Sequence, residues 1–325
     1  MSNRFDSKKL LYILGILVFL LIVTLLVKIP RESSTLKKTL VKFDTVQVAK
    51  IIITPKASEG GEFEFIKEKQ GWKVKQGNIT ATPRSGAVSN ILNDLLNLRP
   101  SSLVAVDKSK WPEYDLTDSL GIRVRAENRK GKLLADVMVG RFSYKPVRNP
   151  YGGGYGGGSI DGISYVRLHN ENEIYAVDGF ITFSFSGGFN EWRNKTIVHA
   201  TKSDLTKITF TFPADSGYVL EKRDNKWYIG EMTADSARTS DYLSDICYAD
   251  GEKFADGFSP ASQPVYKIDI EGNNLLSITI KCYRRDDGLL ILNSSLNPDA
   301  WFESSADGLF GRIFKPSGHF RKDKT

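Results

Sequence analysis

The chain offers little material for a cross-linked, metal-bound or histidine-driven site. Among 325 residues there are two cysteines, Cys247 and Cys282, too few for a disulfide scaffold, and neither sits in a Cys-x-x-Cys or Cys-x-x-His pattern that would suggest structural zinc. The three histidines, His169, His199 and His319, are far apart, which argues against a multi-histidine metal centre. No Ser/His/Asp order, His-Glu-x-x-His motif or paired-carboxylate motif is present; Asp286-Asp287 precedes Gly288 and reads as a turn. These absences predict a chain with no catalytic residues, no cofactor and no metal. What is present is an ordinary globular composition, 41% hydrophobic and 26% charged, with enough length for about two domains that each bury a core.

The net charge of +7 is unevenly placed. Of 45 basic and 38 acidic residues, eight basic (Arg4, Lys8, Lys9, Lys28, Arg31, Lys37, Lys38 and Lys42) and two acidic (Asp6 and Glu32) lie in residues 1–42, so the rest of the chain is within one charge of neutral. A nucleic-acid binder needs a basic face on its folded body, and this distribution predicts none, hence no nucleic-acid partner. The basicity flanks the one long apolar run, Leu10 to Val27, eighteen residues without a charge and just long enough to cross a bilayer. The run exceeds the apolar core of a cleavable signal, and Lys28-Ile29-Pro30 follows it in place of a small-residue cleavage site. It therefore reads as an uncleaved signal-anchor, with residues 1–9 as a cytoplasmic tail, 10–27 as the span and 28–42 as a polar stalk. Both flanks are basic, so charge leaves the orientation nearly balanced. A large body after an N-terminal anchor places residues 43–325 outside the cytoplasm, on a single-pass protein of the inner membrane.

The body reads as a duplication. Lys50-Ile-Ile-Ile-Thr54 resembles Lys207-Ile-Thr-Phe-Thr211, and Phe63 to Trp72 aligns without gaps on Tyr218 to Trp227. Each tryptophan ends a hairpin and is expected to anchor a core. Thr82-Pro83 and Asp235-Ser236 follow as expected helix starts. Val88, Ile91, Leu92 and Leu95 then form one helical face, and Tyr242-Leu-Ser-Asp-Ile246 matches the centre of that helix. Ile122, Val124 and Ala126 alternate with arginines, as Tyr266, Ile268 and Ile270 alternate in the second copy. Gly162 to Val166 parallels Gly288 to Leu292, and Glu173-Ile-Tyr175 parallels Asp299-Ala-Trp301. Each copy thus reads as three strands, a helix and four strands. The hairpin-length turns imply an α+β fold of mostly antiparallel sheet with one helix per copy, in two tandem domains, 43–200 and 201–303, followed by a tail, 304–325. In that tail Leu309, Phe310, Ile313 and Phe314 are expected to pack as a short amphipathic helix.

Phe43-Asp44, Val48-Ala-Lys50-Ile51, Gly71-Trp72-Lys73, Ile91 to Leu98, Tyr114-Asp-Leu116 and Trp192-Arg-Asn-Lys195 stand in the order in which they recur in one family. In these features the chain resembles the domain of unknown function 4340 family across nearly all of residues 1–303. The resemblance implies a membrane-anchored accessory protein, encoded near ABC-transporter components of the gliding-motility auxiliary type, with no enzymatic activity. The implied partners are the membrane and protein subunits such as a permease or auxiliary component. An alternative is a solute receptor or enzyme using a groove between the two copies.

The chain departs from the family pattern at Tyr151-Gly-Gly-Gly-Tyr-Gly-Gly-Gly-Ser159, inside the glycine-rich loop 145–162. No Lys-Ser/Thr at a helix start follows, which removes a phosphate loop. The segment reads first as an insertion joining two strands, near 139 and 163, and second as a ligand or partner loop in which Tyr151 and Tyr155 stack and Arg148 supplies charge. Finally, Asp44-Thr45-Val46, Asp118-Ser119-Leu120 and Asp235-Ser236-Ala237 resemble an acceptor pattern for O-glycosylation of exported proteins. Thr45 is the first candidate, because Ser236 and Ser119 have capping and turn reasons to be where they are. The two cysteines are expected to be buried free thiols, with a disulfide as the alternative.

Overall fold

The computed structural model describes residues 12–19, 36–146, 160–214 and 216–322. Residues 12–19 are helical (α1). Among the described residues, no helix is long and apolar enough to cross a membrane.

The body is built from two nine-stranded sheets. The first contains β1 (Val48–Thr54), β2 (Phe63–Glu68), β3 (Gly71–Gln76) and β4 (Ile79–Ala81), then, after helix α2 (Ala87–Leu96), β5 (Pro100–Ala105), β6 (Ile122–Asn128), β7 (Leu133–Pro146), β8 (Ile160–Leu168) and β9 (Ile174–Asp178). Short helices α3 (Ile181–Phe185) and α4 (Phe189–Trp192) close it. The second contains β10 (Leu205–Thr211), β11 (Gly217–Arg223), β12 (Lys226–Ile229) and β13 (Met232–Thr233), then helix α5 (Ser236–Ile246), β14 (Lys253–Phe254), β15 (Tyr266–Gly272), β16 (Leu275–Arg284), β17 (Leu290–Ser294) and β18 (Asn297–Ser304), with α6 (Leu309–Ile313) after them. The strand orders are 4-3-2-1-6-7-8-9-5 and 13-12-11-10-15-16-17-18-14, the same path run twice. Every strand pairing among the described residues is antiparallel.

The copies agree in register as well as order. Lys50 faces Ile66 as Lys207 faces Glu221. On the other side, β1 shifts register between Val48 and Lys50 against β6, and β10 shifts between Leu205 and Lys207 against β15. Matching bulges at matching places are a stronger sign of duplication than any shared residue, because a bulge changes the twist of the whole ladder.

Each sheet is covered on one face by its helix. Val88, Ile91, Leu92 and Leu95 are buried with Phe63, Phe65, Val74 and Trp192 in the first core. Tyr242, Leu243 and Ile246 are buried with Phe210, Ile268, Cys282 and Phe302 in the second. Each fully buried Ile, Leu or Phe contributes about 2 kcal/mol through the apolar surface it removes from water. Trp72 and Trp227 pack against their cores half-buried, at the hairpin ends. The alternating arginines on β6 are held by carboxylates on the sheet's other face, Arg123 to Asp136 at 2.7 Å and Arg125 to Glu62 at 2.6 Å.

Several expectations change. Each copy has nine strands: β4 and β13, and the edge strands β5 and β14, add to the expected seven. The helix α2 does not start at Thr82-Pro83. Its N-cap is Gly86 in the left-handed region (φ 74°), while Pro83 bridges to Arg193 instead. Asp235 does cap α5, its carboxylate accepting from Arg238 N at 2.9 Å. In β9 and β18 the aligned residues move by one. Val166 faces Tyr175 where Leu292 faces Phe302, so Tyr175 corresponds to Phe302 and Ile174 to Trp301. Between the matched pairs the second copy has one residue more, where β17 and β18 shift register between Leu292 and Ser294, and a one-residue slip in a strand exchanges its two faces.

The unit limits shift too. Leu40 and Val41 are buried in the first core, and Leu40 N donates to Leu98 O at 3.0 Å, so the end of the expected stalk belongs to the first unit. Ile197, Val198 and Ala200 belong to the second core. The tail packs as expected, with Leu309, Ile313, Phe314 and Phe320 in the second core, and is tied there by Tyr242 Oη donating to Ile313 O at 2.9 Å. Both cysteines are free and buried, with burial raising the Cys247 thiol and pushing Cys282 up to about 12.

Candidate functional site

The strands β7 and β8 remain paired as far as Pro146 and Ile160, so the glycine-rich segment joins the ends of a long hairpin. Tyr151, Tyr155 and Arg148 lie outside the described residues. Toward the loop end of that hairpin four aromatic rings form a surface platform. Phe142 lies 4.5 Å from Phe183 and 5.5 Å from Tyr144 between centroids, and Tyr144 lies 5.8 Å from Phe180. Tyr144 is 61% exposed and Phe183 55%, far more than aromatic groups that serve only a core.

Local hydrogen bonds make the platform rigid. Thr182 Oγ1 donates to Gly140 O at 2.9 Å, Ser164 Oγ to Gly179 O at 2.9 Å, and Gly179 N to Gly162 O at 2.7 Å, fastening α3 across the hairpin. The ring of Phe180 lies over Gly162, where a Cβ would stand 2.6 Å from it. Among the described residues the second copy has no counterpart. Arg284 stands at the register position of Phe142, and the chain turns back at once, Arg285 N donating to Leu289 O at 2.9 Å.

The motif Trp192-Arg-Asn-Lys195 forms the seam between the copies. Trp192 is buried against Phe65, with ring centroids 5.6 Å apart. Arg193 is 3% exposed and reaches across to the second copy, its Nη1 and Nη2 donating to the two carboxylate oxygens of Asp256 at 2.8 and 2.6 Å. Its guanidinium lies 3.5 Å from the centroid of the Phe254 ring. Asn194 N donates to Thr82 O at 2.8 Å while Asn194 O accepts from Asn297 Nδ2 at 2.7 Å, so one residue is bonded to both copies. The hollow beside the seam holds about 220 Å³ and includes Arg84, Glu191, Lys195 and Asp250. That is below the usual size of a small-molecule pocket.

Larger hollows lie within the second copy. One of about 460 Å³ is lined by Phe258, Ser262, Tyr283 and Arg284, with Asp256 and Arg285 at its edge already paired to Arg193 and to Asp287 and Glu303. Another of about 500 Å³ is lined by Phe212, Tyr218, Tyr266 and two prolines. There Tyr218 Oη donates to Lys315 O at 2.5 Å, and burial raises its phenol, so it stays protonated. Asp286 also lines the first hollow, and among the described residues neither it nor Arg284 makes an ion pair. Among the described residues, no three His, Cys, Asp or Glu side chains are grouped to hold a metal ion.

The motif Tyr114-Asp-Leu116 is explained by a residue that sequence reasoning missed. Arg167 on β8 is 1% exposed, donates from Nε to Leu116 O at 3.0 Å and from Nη1 to His169 O at 2.8 Å, and lies 3.6 Å from the Trp111 ring centroid. Burial lowers its pKa, and Asp118 at 3.8 Å opposes that shift. An alternating strand pattern gives no sign that one of its charged members points inward.

The three glycosylation candidates are not brought together. Thr45 is half-buried in a short 3-10 turn capped by Asp44. Ser119 is exposed, its carbonyl accepting from Ala57 N at 3.1 Å, and Ser236 is exposed in the first turn of α5.

No curated protein and no solved structure matches the chain in comparison. A family match covers residues 81–269, from the end of β4 through α2 and the seam into β15, and its description is "Domain of unknown function (DUF4340)". With more than half of its length inside that match, the chain belongs to the DUF4340 family.

Proposed function

We propose that this protein is a membrane-anchored, extracytoplasmic binding and assembly subunit, without catalysis of its own, that docks a protein partner in an ABC-type transporter or envelope complex. The observation that carries this reading is the aromatic platform in which Tyr144 and Phe183 are exposed over half-buried Phe142 and Phe180, a grouping that, among the described residues, only the first copy has. Exposed aromatic groups in a fixed frame are what interfaces use as anchors. The membrane part of the reading is supported by the uncharged run from Leu10 to Val27, of which residues 12–19 are helical. The groove alternative has less support, because the seam hollow is small and Arg193 is committed to Asp256.

The test is affinity purification from native membranes, with the tagged wild type beside Tyr144→Asp and Phe183→Asp. Permease and ATPase subunits should accompany the wild type and be lost from both variants. Equal recovery in all three would remove the platform from the reading, and no transporter subunit in any of them would remove the association itself. Protease added to spheroplasts should degrade residues 43–325; full protection would reverse the orientation.

A further inference from the structure

The charge of the chain is concentrated before Lys42, yet the fold brings more of it to the same place. Leu40 and Val41 pack into the first core, and Lys42 shares a hollow of about 270 Å³ with Leu133 and Leu134. Leu133 follows the turn between β6 and β7, Asn128-Arg-Lys-Gly-Lys132. That turn is a rigid presenter. Asn128 Oδ1 accepts from Lys130 N at 2.9 Å and Lys132 N at 3.0 Å, and Asn128 N donates to Lys132 O at 3.0 Å. Arg129, Lys130, Lys132 and Lys42 are all exposed and form no ion pair among the described residues, and Leu133 beside them is 47% exposed. Of the carboxylates nearby, Glu171 is held by Lys37 at 2.5 Å and Asp136 by Arg123 at 2.7 Å, Asp44, exposed, accepts from Val46 N at 3.0 Å, and Glu127 is half-buried on β6.

The duplication supplies an internal control. The equivalent turn of the second copy, between β15 and β16, is Gly272-Asn273-Asn274-Leu275, without a charge. Basicity at this turn is therefore not required by the fold. It occurs on the copy where the chain arrives from the apolar run, and Val27 and Leu36 can be at most about 30 Å apart along an extended backbone.

We infer that the face formed by Lys42, Arg129, Lys130 and Lys132, with Leu133 beside them, lies against the anionic phospholipid headgroups of the membrane that the N-terminal run spans. This rests on the anchored reading proposed above. Four cations without an ion pair among the described residues and one exposed leucine, tethered within reach of a bilayer, match the chemistry of polybasic segments that bind acidic lipid. The contact would fix the tilt of the first repeat, whereas a bare anchor would let the body swing.

The test uses the full chain in nanodiscs of phosphatidylcholine alone or with about one-third phosphatidylglycerol, and reads amine acetylation rates by mass spectrometry. In the anionic discs Lys42, Lys130 and Lys132 should react about fivefold more slowly, the factor expected when a cation sits at an acidic surface. Exposed Lys69 and Lys226, at the tips of the two tryptophan hairpins, should not change. High salt should abolish the difference, and R129E/K130E/K132E should remove it from Lys42. Equal rates in both discs, for a chain that has inserted, would overturn the inference and leave the anchor intact. A chain that does not enter the discs would overturn the anchor and the inference with it. Protection of the same lysines by duplex DNA, with none from anionic lipid, would assign the face to nucleic acid and refute the lipid assignment.

Discussion

The seam makes an asymmetric prediction. Arg193 is 3% exposed and Asp256 37%, so the two ends of one bidentate pair have very different access to water. Removing the carboxylate with Asp256→Ala leaves a guanidinium on Phe254, still bonded to Asn190 at 3.0 Å, but buried without a counter-charge. That should cost about 3 kcal/mol. Removing the cation with Arg193→Met retains volume over the Phe254 ring and leaves Asp256 free to recover water, so the loss should be about 1 kcal/mol. The double variant should be close to Arg193→Met alone, because the Asp256 change no longer strands a charge; the coupling would then be about 3 kcal/mol. Urea unfolding of the full chain in a neutral detergent, followed by tryptophan fluorescence, reads all four states. An Arg193→Met loss equal to or larger than the Asp256→Ala loss would refute the argument, because it would mean that desolvation of the cation does not dominate the seam.

Other expectations follow from single positions. Gly140 sits where β7 shifts register, and a Cβ there would stand 2.1 Å from Tyr114 O, so Gly140→Ala should lower stability by about 2–3 kcal/mol in a thermal melt; an unchanged melting temperature would show that the Tyr114 turn yields freely. Cys247 and Cys282 should resist a thiol reagent in the folded chain and both react in urea without reductant, and a count below two would reveal a disulfide. His319 has its pKa lowered by burial and then by Lys315 and Arg238, so its contribution is present above the ordinary histidine range, near 6.5, and is lost as pH falls through the lowered value. His319→Asn should flatten the stability profile in that acid window, and an unchanged profile would place the titration elsewhere. If Thr45 carries a glycan, the intact mass of the native protein should exceed the sequence mass by a sugar and return to it in Thr45→Ala.

Much of the architecture was legible because the chain spells it twice. The tryptophan hairpins align without gaps, and the helical face at Val88, Ile91, Leu92 and Leu95 is set by periodicity that burial then obeys. What escaped is short or tertiary. Strand β13 is two residues and β14 is two, too brief for any alternation to register. Thr82-Pro83 carries a sound helix-start signal, but Pro83 makes an isolated bridge to Arg193, and the helix begins after Gly86. The misplaced Trp301 shows how two aromatic residues in sequence can hide a one-residue register shift in the strand pairing. The aromatic platform was half visible: the glycine-rich insertion was plain, whereas Phe142 and Phe183 meet only because α3 folds back over β7.

The central position of β1 has a consequence for the order in which the protein can assemble. Its residues pair with β2 from the next hairpin and with β6, and Val48 meets Asn128 across α2 and β5. A chain that is still emerging therefore holds half of β1's hydrogen bonds open until the sixth strand has appeared. Strand β5 waits longer still, for β9. Non-local pairing of this kind is slow, and it exposes strand edges while it lasts. Because the second copy repeats the same delay, the first can close completely before β10 finds β15. The two near-identical sheets are thereby separated in time, which protects each from pairing with the strands of its twin.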